Sequence, residues 1–481
     1  MPRRFGCVLR RMSAAYDNIV QRVWALCHIL RGDGVSYHQY ISELTYLLFL
    51  KIAEETGAES LLPVGYRWQD LVGYRGQGLL PFYQEMLTHL GGHAASKVVR
   101  ELYAFPTTVF SHSENLRAVI DGIAKIDWHA VSKDRIGDIY EGLLAKNSQD
   151  LRSGAGQYFT PRALVDSIVR IVRPKLGEII QDPAVGSGGF LISTEQYIRD
   201  HYIDENYRKA PPHYQGIEIE KSTYRICLMN TFLHGLDADI WLGDALTDDA
   251  RVFEPADLIL ANPPFGARAG SRRKRRSDLE VATTNKQLAF LQHIYMGLKP
   301  GGRAAVVVPD NVLFEDGAGR RIRQTLMSLC DLHTILRLPQ GIFYSPGVQT
   351  NVMFFRRSDH GNATRTISYY DMRTAAPRYG RKRPLLTIDF AEFESVFRER
   401  PAPEDVTSGR WQSFSRAEIA ARDDNLNVLW LQPENGSADS DTLDPLVVLT
   451  TITDHLRSAL EEAELLAEEL TSSAATDEMD M

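Results

Sequence analysis

Ile179-Ile180-Gln181-Asp182-Pro183-Ala184-Val185-Gly186-Ser187-Gly188-Gly189-Phe190 is the stretch on which the reading of the fold turns. A short apolar run, Ile179–Gln181, has the look of a buried strand, and a helical stretch over Leu191–His201 follows the glycines. Glycine lets the backbone turn tightly and approach a ligand with no Cβ in the way. By itself such a turn is either a ligand loop or an ordinary connection. No GxxxxGK[ST] run exists, so a P-loop is unsupported, and the spacing departs from the GxGxxG of dinucleotide folds.

The same alternation extends on both sides. Tyr214–Ile219, Asp239–Leu242, Asp257–Ala261 and Arg303–Pro309 read as short buried strands. Arg162–Val172, Tyr224–Leu233 and Asn285–Leu298 read as helices between them. Buried strands alternating with helices predict a parallel, doubly wound α/β sheet whose ligands sit beyond the carboxyl ends of the strands. Upstream, Tyr16–Val131 carries helical periodicity, with breaks expected at Gly73–Gly78 and Gly91-Gly92. Downstream the pattern weakens after Ser358. Pro433–Asp441 reads as a linker, and Leu449, Ile452, Leu456, Ala459, Ala463, Leu466 and Leu470 then repeat at the spacing of a coiled-coil seam. The expected divisions are an α-helical domain over 1–135, an α/β domain over 136–430, and a linker with a helix offered to another subunit over 431–481.

Composition narrows the class. Of 481 residues 44% are hydrophobic and 24% charged, the balance of a globular protein. No apolar run reaches the ~18 residues that would span a bilayer, and the start, MPRRFGCVLRRMS, lacks the apolar segment of a signal peptide. Cys7, Cys27, Cys227 and Cys330 are scattered without a CxxC pair, which predicts reduced thiols, no metal site and a cytoplasmic location. The formal net charge of −8 implies that any contact with nucleic acid is local or shared with a basic partner.

Three strand ends carry the chemistry. Glu218, ending the second strand, suits the hydroxyls of a ribose, and Asp244, after the third, suits an adenine amino group. Asp257-Leu258-Ile259-Leu260-Ala261-Asn262-Pro263-Pro264-Phe265 is sharper. Two prolines after a buried strand make a stiff turn that cannot continue the ladder, and they hold an amide and an aromatic ring at its end. The lone pair of an exocyclic amine on a base is delocalised into the ring. Acceptors on both its hydrogens, the Asn262 oxygen and the Pro263 carbonyl, favour a pyramidal nitrogen able to attack a methyl donor. Phe265 can stack on the base for ~1–3 kcal/mol. A duplex hides that nitrogen from such attack, so the base is expected to be flipped out.

These motifs resemble the N6-adenine methyltransferases that form the modification subunits of type I restriction–modification systems. Gly156-Gln157-Tyr158-Phe159-Thr160-Pro161-Arg162 is similar to that family's cofactor-methionine motif, Asp182–Phe190 to its cofactor loop and Asn262–Phe265 to its catalytic motif. The likeness runs on through Asn285-Lys286-Gln287, Pro300–Phe314 and Leu338–Phe343 to Thr350-Asn351-Val352, and covers about Leu143–Phe355. It implies a Rossmann-like fold binding S-adenosyl-L-methionine through Gln157, Tyr158, Phe159, Thr160, Pro161, Arg162, Asp182, Ala184, Gly186, Ser187, Gly188, Gly189, Glu218 and Asp244. It further implies double-stranded DNA as substrate, a specificity subunit serving two such chains, and a restriction/translocase subunit. The glycine turn is expected to hold the donor methyl before the Asn262–Phe265 corner. The run Arg272, Arg273, Lys274, Arg275 and Arg276 is expected on DNA phosphates. Other chemistries fit less. No cysteine follows a proline as cytosine C5 transfer requires, N4-cytosine enzymes more often carry Ser for Asn262, and protein-glutamine methylators usually carry Tyr for Phe265. A non-catalytic assembly subunit would not need these motifs intact.

Overall fold

The computed structural model describes residues 18–31, 37–128, 136–150, 160–266, 276–343, 349–360, 363–374, 379, 383–401 and 409–431. The chain forms two compact units. One comprises Met1–Phe159 with Gly186–Gly188 and Glu218–Leu242; the other comprises Thr160–Val185, Gly189–Ile217 and Gly243–Met481. The proposed partner helix around Leu449–Leu470 lies outside the described residues.

The first unit is mainly helical, as expected. Tyr37–Thr56, Leu79–His93, Ser113–Ala124 and Ile136–Asp150 are its main helices. Leu44, Leu47, Trp68, Tyr83, Leu90, Leu116 and Ile120 fill its core. The Gly73–Gly78 break is present, for a helix ends at Gly73. Gly91-Gly92 is a different matter: the pair lies inside the helix Leu79–His93. A Cβ on Gly91 would collide with the carbonyl of Tyr103, so this glycine serves a close backbone approach and not a turn. The helix Lys221–Leu233 joins the same core through Arg225. That buried guanidinium donates to the Leu102 carbonyl at 3.0 Å and to Ser42 Oγ at 2.6 Å, and lies 4.2 Å over the Tyr46 ring.

The strands are β1 (Ile179–Asp182), β2 (His213–Glu218), β3 (Ala238–Leu242), β4 (Ala256–Ala261), β5 (Leu298–Pro309), β6 (Cys330–Arg337), β7 (Thr350–Arg357), β8 (Thr366–Asp371) and β9 (Trp411–Ser415). In the second unit they run side by side as β2-β1-β4-β5-β7-β6-β8-β9. β1 is parallel to both β2 and β4, β4 to β5, and β6 to β8, while β7 is antiparallel to β5 and β6. The carboxyl ends of β1, β2, β4, β5, β6 and β8 therefore meet one edge of the sheet, together with the start of β7. Between β1 and β4 the winding reverses, which opens a crevice there. Both faces are covered, which is why the Asp257–Ala261 run is nearly all apolar. The helices Lys286–Gly297 and Ala318–Leu329 supply Leu288, Leu291, Ile294, Ile322 and Leu326 to the core around Ile259, Val306 and Met353.

The expected strands and helices of this α/β part are present, with ends moved by a few residues. Beyond them, β6 and β7 are strands not among those expected, and β8 and β9 extend the sheet past Ser358, where the sequence pattern was weak. Ile259 is fully buried at the centre of β4. Ile259→Ala should cost about 3 kcal/mol through lost contacts and an unfilled cavity. Urea unfolding of the two proteins measures it, and an unchanged transition would mean that β4 is not a packed central strand.

Candidate functional site

β1 ends on Asp182, which is 1% exposed. Its Oδ1 accepts from the Ala184 N–H at 3.0 Å, and Val185 N–H donates to the Ile217 carbonyl at 3.0 Å. The turn after β1 is thus anchored to β2 before the glycines begin. Gly186 and Gly188 adopt φ of +54° and +84°, which L side chains avoid. The Gly186 N–H donates to Glu218 Oε2 at 3.1 Å, and Asn230 Nδ2 donates to the Ser187 carbonyl at 2.8 Å. A carboxylate at a strand end beside a glycine turn offers acceptors that the two hydroxyls of a ribose can donate to.

Glu218 is 6% exposed, and its Oε1 also accepts from the Glu220 N–H at 2.8 Å. Burial pushes its carboxyl up to about 7, with the N–H groups of Glu220 and Gly186 pulling the other way. Asp244 is buried after β3. Its Oδ1 accepts from the Leu246 N–H at 2.9 Å, while its own N–H donates to Asp249 Oδ2 at 3.0 Å. This acid therefore shapes its own turn.

At the end of β4 the rigid corner is in place. Asn262 Nδ2 donates to Thr160 Oγ1 at 2.9 Å, whereas Asn262 Oδ1 is buried and, among the described residues, has no hydrogen-bond partner. Pro263 is buried, and the Pro264 carbonyl accepts from Gln287 Nε2 at 2.7 Å. Gln287 itself is 2% exposed at the start of the helix Lys286–Gly297, whose first turn is capped by Asn285. Phe265 meets the buried Phe343 edge to face, with ring centroids 6.1 Å apart at 79°. Since Gln181 pairs with Ile259, the register places Asp182 and Asn262 about 8 Å apart along the same sheet edge.

Other expected residues are placed differently. Thr160 touches the Asn262 amide, while Arg162 Nε pairs with Asp166 at 2.8 Å and its guanidinium reaches Gln196 Oε1 at 3.1 Å. Arg162 therefore binds helix to helix. Gln157, Tyr158, Phe159 and Arg272–Arg275 lie outside the described residues. Arg276, expected on phosphate, is turned inward. It forks onto Asp278 at 2.9 and 2.5 Å, and its Nη1 lies 2.6 Å from His293 Nδ1. A guanidinium can only donate, so Nδ1 accepts and the His293 proton sits on Nε2. Burial and Arg276 hold that imidazole down at about 3, neutral at physiological pH. Gln287 and Phe343 carry roles that no sequence signal assigned. The hint was a polar residue opening an apolar helix and an aromatic one closing Leu338–Phe343.

Residues 131–437 match the family model described as N-6 DNA Methylase, and residues 19–61 match the HsdM N-terminal domain. The type I restriction enzyme EcoKI methylase subunit of Escherichia coli (strain K12) is 39% identical over 519 residues, covering 97% of each chain. A crystal structure of the type I restriction enzyme EcoKI M protein aligns with TM-score 0.53 and 35% identity over 94% of this chain and 96% of that one. A structure on complex assembly and conformational transition of the type I R-M system aligns with TM-score 0.75 and 26% identity, over 95% and 98%. Among the described residues, no helix is long and apolar enough to cross a membrane.

The Glu218 carboxyl stands above its ordinary value of 4.5, so its charged form is disfavoured in the folded chain. Its stabilising contribution is complete below about pH 4.5 and is lost as pH rises to about 7. Relative to Glu218→Gln, the unfolding free energy of the unaltered chain should fall across that window and level off above it. Parallel pH profiles for the two proteins would show that the carboxyl is not perturbed.

Proposed function

The chain belongs to the N-6 DNA methylase family, and on that premise we propose that Asn262–Phe265 is the catalytic corner and that Gly186–Gly189 with Glu218 holds the cofactor. The chain is an adenine-specific DNA methyltransferase dependent on S-adenosyl-L-methionine, and it works on DNA within a multi-subunit type I complex.

The observation that carries the catalytic assignment is the amide of Asn262. Its nitrogen is spent on Thr160, so its buried oxygen is the end left to accept. A buried acceptor without a donor costs about 1–3 kcal/mol, a cost repaid when an amino hydrogen reaches it. The Pro263 carbonyl takes the second N6 hydrogen, and together the two acceptors raise the lone pair of the nitrogen out of the purine plane. Phe265 receives the face of the flipped adenine, with Phe343 behind it. Bound S-adenosyl-L-methionine supplies an electrophilic methyl group. Glu218 accepts from the ribose hydroxyls, Asp244 from the cofactor's adenine amine, and Asp182 and Ala184 shape the turn; Gln157, Tyr158, Phe159 and Thr160–Arg162 flank the methionine end. Positioning and hydrogen-bond polarisation do most of the work.

In the complex, two such chains serve one specificity subunit, and a translocating restriction subunit joins them. Arg272, Arg273, Lys274 and Arg275 contact phosphate near the target base. Arg276, committed to Asp278, does not. Neutralising Arg272–Arg275 should flatten the dependence of DNA affinity on salt, since each lost phosphate contact removes about 0.9 from the slope of log K against log salt. An unaltered slope would remove this run from the DNA contact.

Asn262→Ala should lower methyl transfer by about 10²–10³ while S-adenosyl-L-methionine still binds, because a preorganised acceptor is lost. Phe265→Ala should weaken turnover more than it weakens duplex binding. Tritium transfer from labelled cofactor and calorimetric titration of cofactor separate these effects. Near-normal turnover by Asn262→Ala would overturn the assignment.

A further inference from the structure

Arg373 follows β8, and all five of its guanidinium N–H donors are taken up. Nε donates to the Leu338 carbonyl at 3.2 Å. Nη1 donates to Asp310 Oδ2 at 2.9 Å and Gln349 Oε1 at 2.8 Å. Nη2 reaches Asp310 Oδ1 at 2.6 Å, the Thr350 carbonyl at 2.9 Å and Asn351 Oδ1 at 3.1 Å. Fully buried Asn351 donates in turn to Asp310 Oδ1 at 2.8 Å, and the Asp310 N–H donates to the Gln349 carbonyl at 3.0 Å. Leu338 and Gln349 are the two feet of the connection between β6 and β7, and Asp310 is the first residue after β5.

That connection carries Phe343, whose ring meets Phe265 edge to face. One foot is already joined to the start of β7 by a backbone hydrogen bond, Leu338 N–H to the Thr350 carbonyl at 3.0 Å. A second fastening, by a forked ion pair with side chains only 12% and 19% exposed, is expensive to desolvate. It restrains what a single hydrogen bond leaves free: the pitch of the connection against the sheet edge where β5 ends. We infer that Arg373 is a positioning residue for methyl transfer, tying both feet of the β6–β7 connection to Asp310 and so fixing Phe343 behind Phe265. The inference rests on the reading that Phe265 receives the target adenine.

A double-mutant cycle in the assembled complex tests it, with single-turnover methylation as the readout. Arg373→Ala and Phe343→Ala should each lower the rate by about tenfold, as small displacements of a reacting group do. The dissociation constant for S-adenosyl-L-methionine should stay unchanged. Because both act through one ring, R373A/F343A should fall no further than the slower single variant, while independent effects would multiply to about a hundredfold. Arg373→Lys keeps the charge but loses the fork, and should lie between R373A and the unaltered chain. Should R373A fail to assemble, R373K enters the cycle in its place with the same expected coupling. Multiplying effects, or full activity of R373K together with R373A, would overturn the inference. Full activity of Phe265→Ala would instead overturn the stacking reading beneath it.

Discussion

An amide has a donor end and an acceptor end, and Asn262 commits the first to Thr160. This one hydrogen bond sets which way the side chain faces at the end of β4. Were Thr160 unable to accept, the amide could rotate and present hydrogens where an acceptor is needed, and the chemistry proposed for the corner would reverse sign. The prolines that follow make the constraint rigid. They remove two backbone donors, stop the ladder and leave the Pro264 carbonyl to be held by Gln287. A side chain whose freedom has already been removed by folding loses little entropy when a ligand arrives, which is what the role proposed for Asn262 asks of it.

Elsewhere in the fold, as at the corner, long polar side chains brace backbone carbonyls from within. Gln287 does this for Pro264, Arg303 for Val172 and Arg173, and Arg323 for Val312, Glu315 and Asp424. Carbonyls at the ends of strands and helices have no partner within their own element. A buried guanidinium can satisfy several at once, which a hydrophobic residue of the same volume cannot. Gln287 and Arg323 brace carbonyls beyond the carboxyl ends of β4 and β5, whereas Arg303, level with the start of β4, does so at the opposite edge of the sheet.

The parallel part of the fold was legible because it repeats a simple contrast. Asp257–Ala261 is a strand buried on both faces, and the Arg162–Val172 stretch shows one apolar stripe. β7, Thr350–Arg357, has a short apolar run at Val352–Phe355, and an isolated run of that length does not reveal whether it is helix or strand. β8 and β9 are held by pairing with each other, across about forty residues, more than by any local pattern. Gly91 shows the limit from another side. The reason for that glycine is the Tyr103 carbonyl pressing on its helix, and nothing local announces a contact of this kind. In the site, residue type and strand position pointed to Asn262, Glu218 and the glycines. Gln287 and Phe343 fell within runs that resemble the family, but their partners, like those of Arg373, are set by tertiary structure and were not legible.

Arg276 bears on how such a chain holds a polyanion. By sequence it closes a run of basic residues, but a nearby acid with favourable geometry draws it inward, and Asp278 is two residues away. The pair cancels its charge, and the imidazole beside it stays neutral, so this end of the run adds nothing to the positive potential felt outside. On a chain with a formal net charge of −8, a cation paired with a neighbouring acid leaves the net charge as it was and offers no local positive patch to a phosphate. Such a chain gains little from long-range attraction to a polyanion, so local contacts weigh more in holding it.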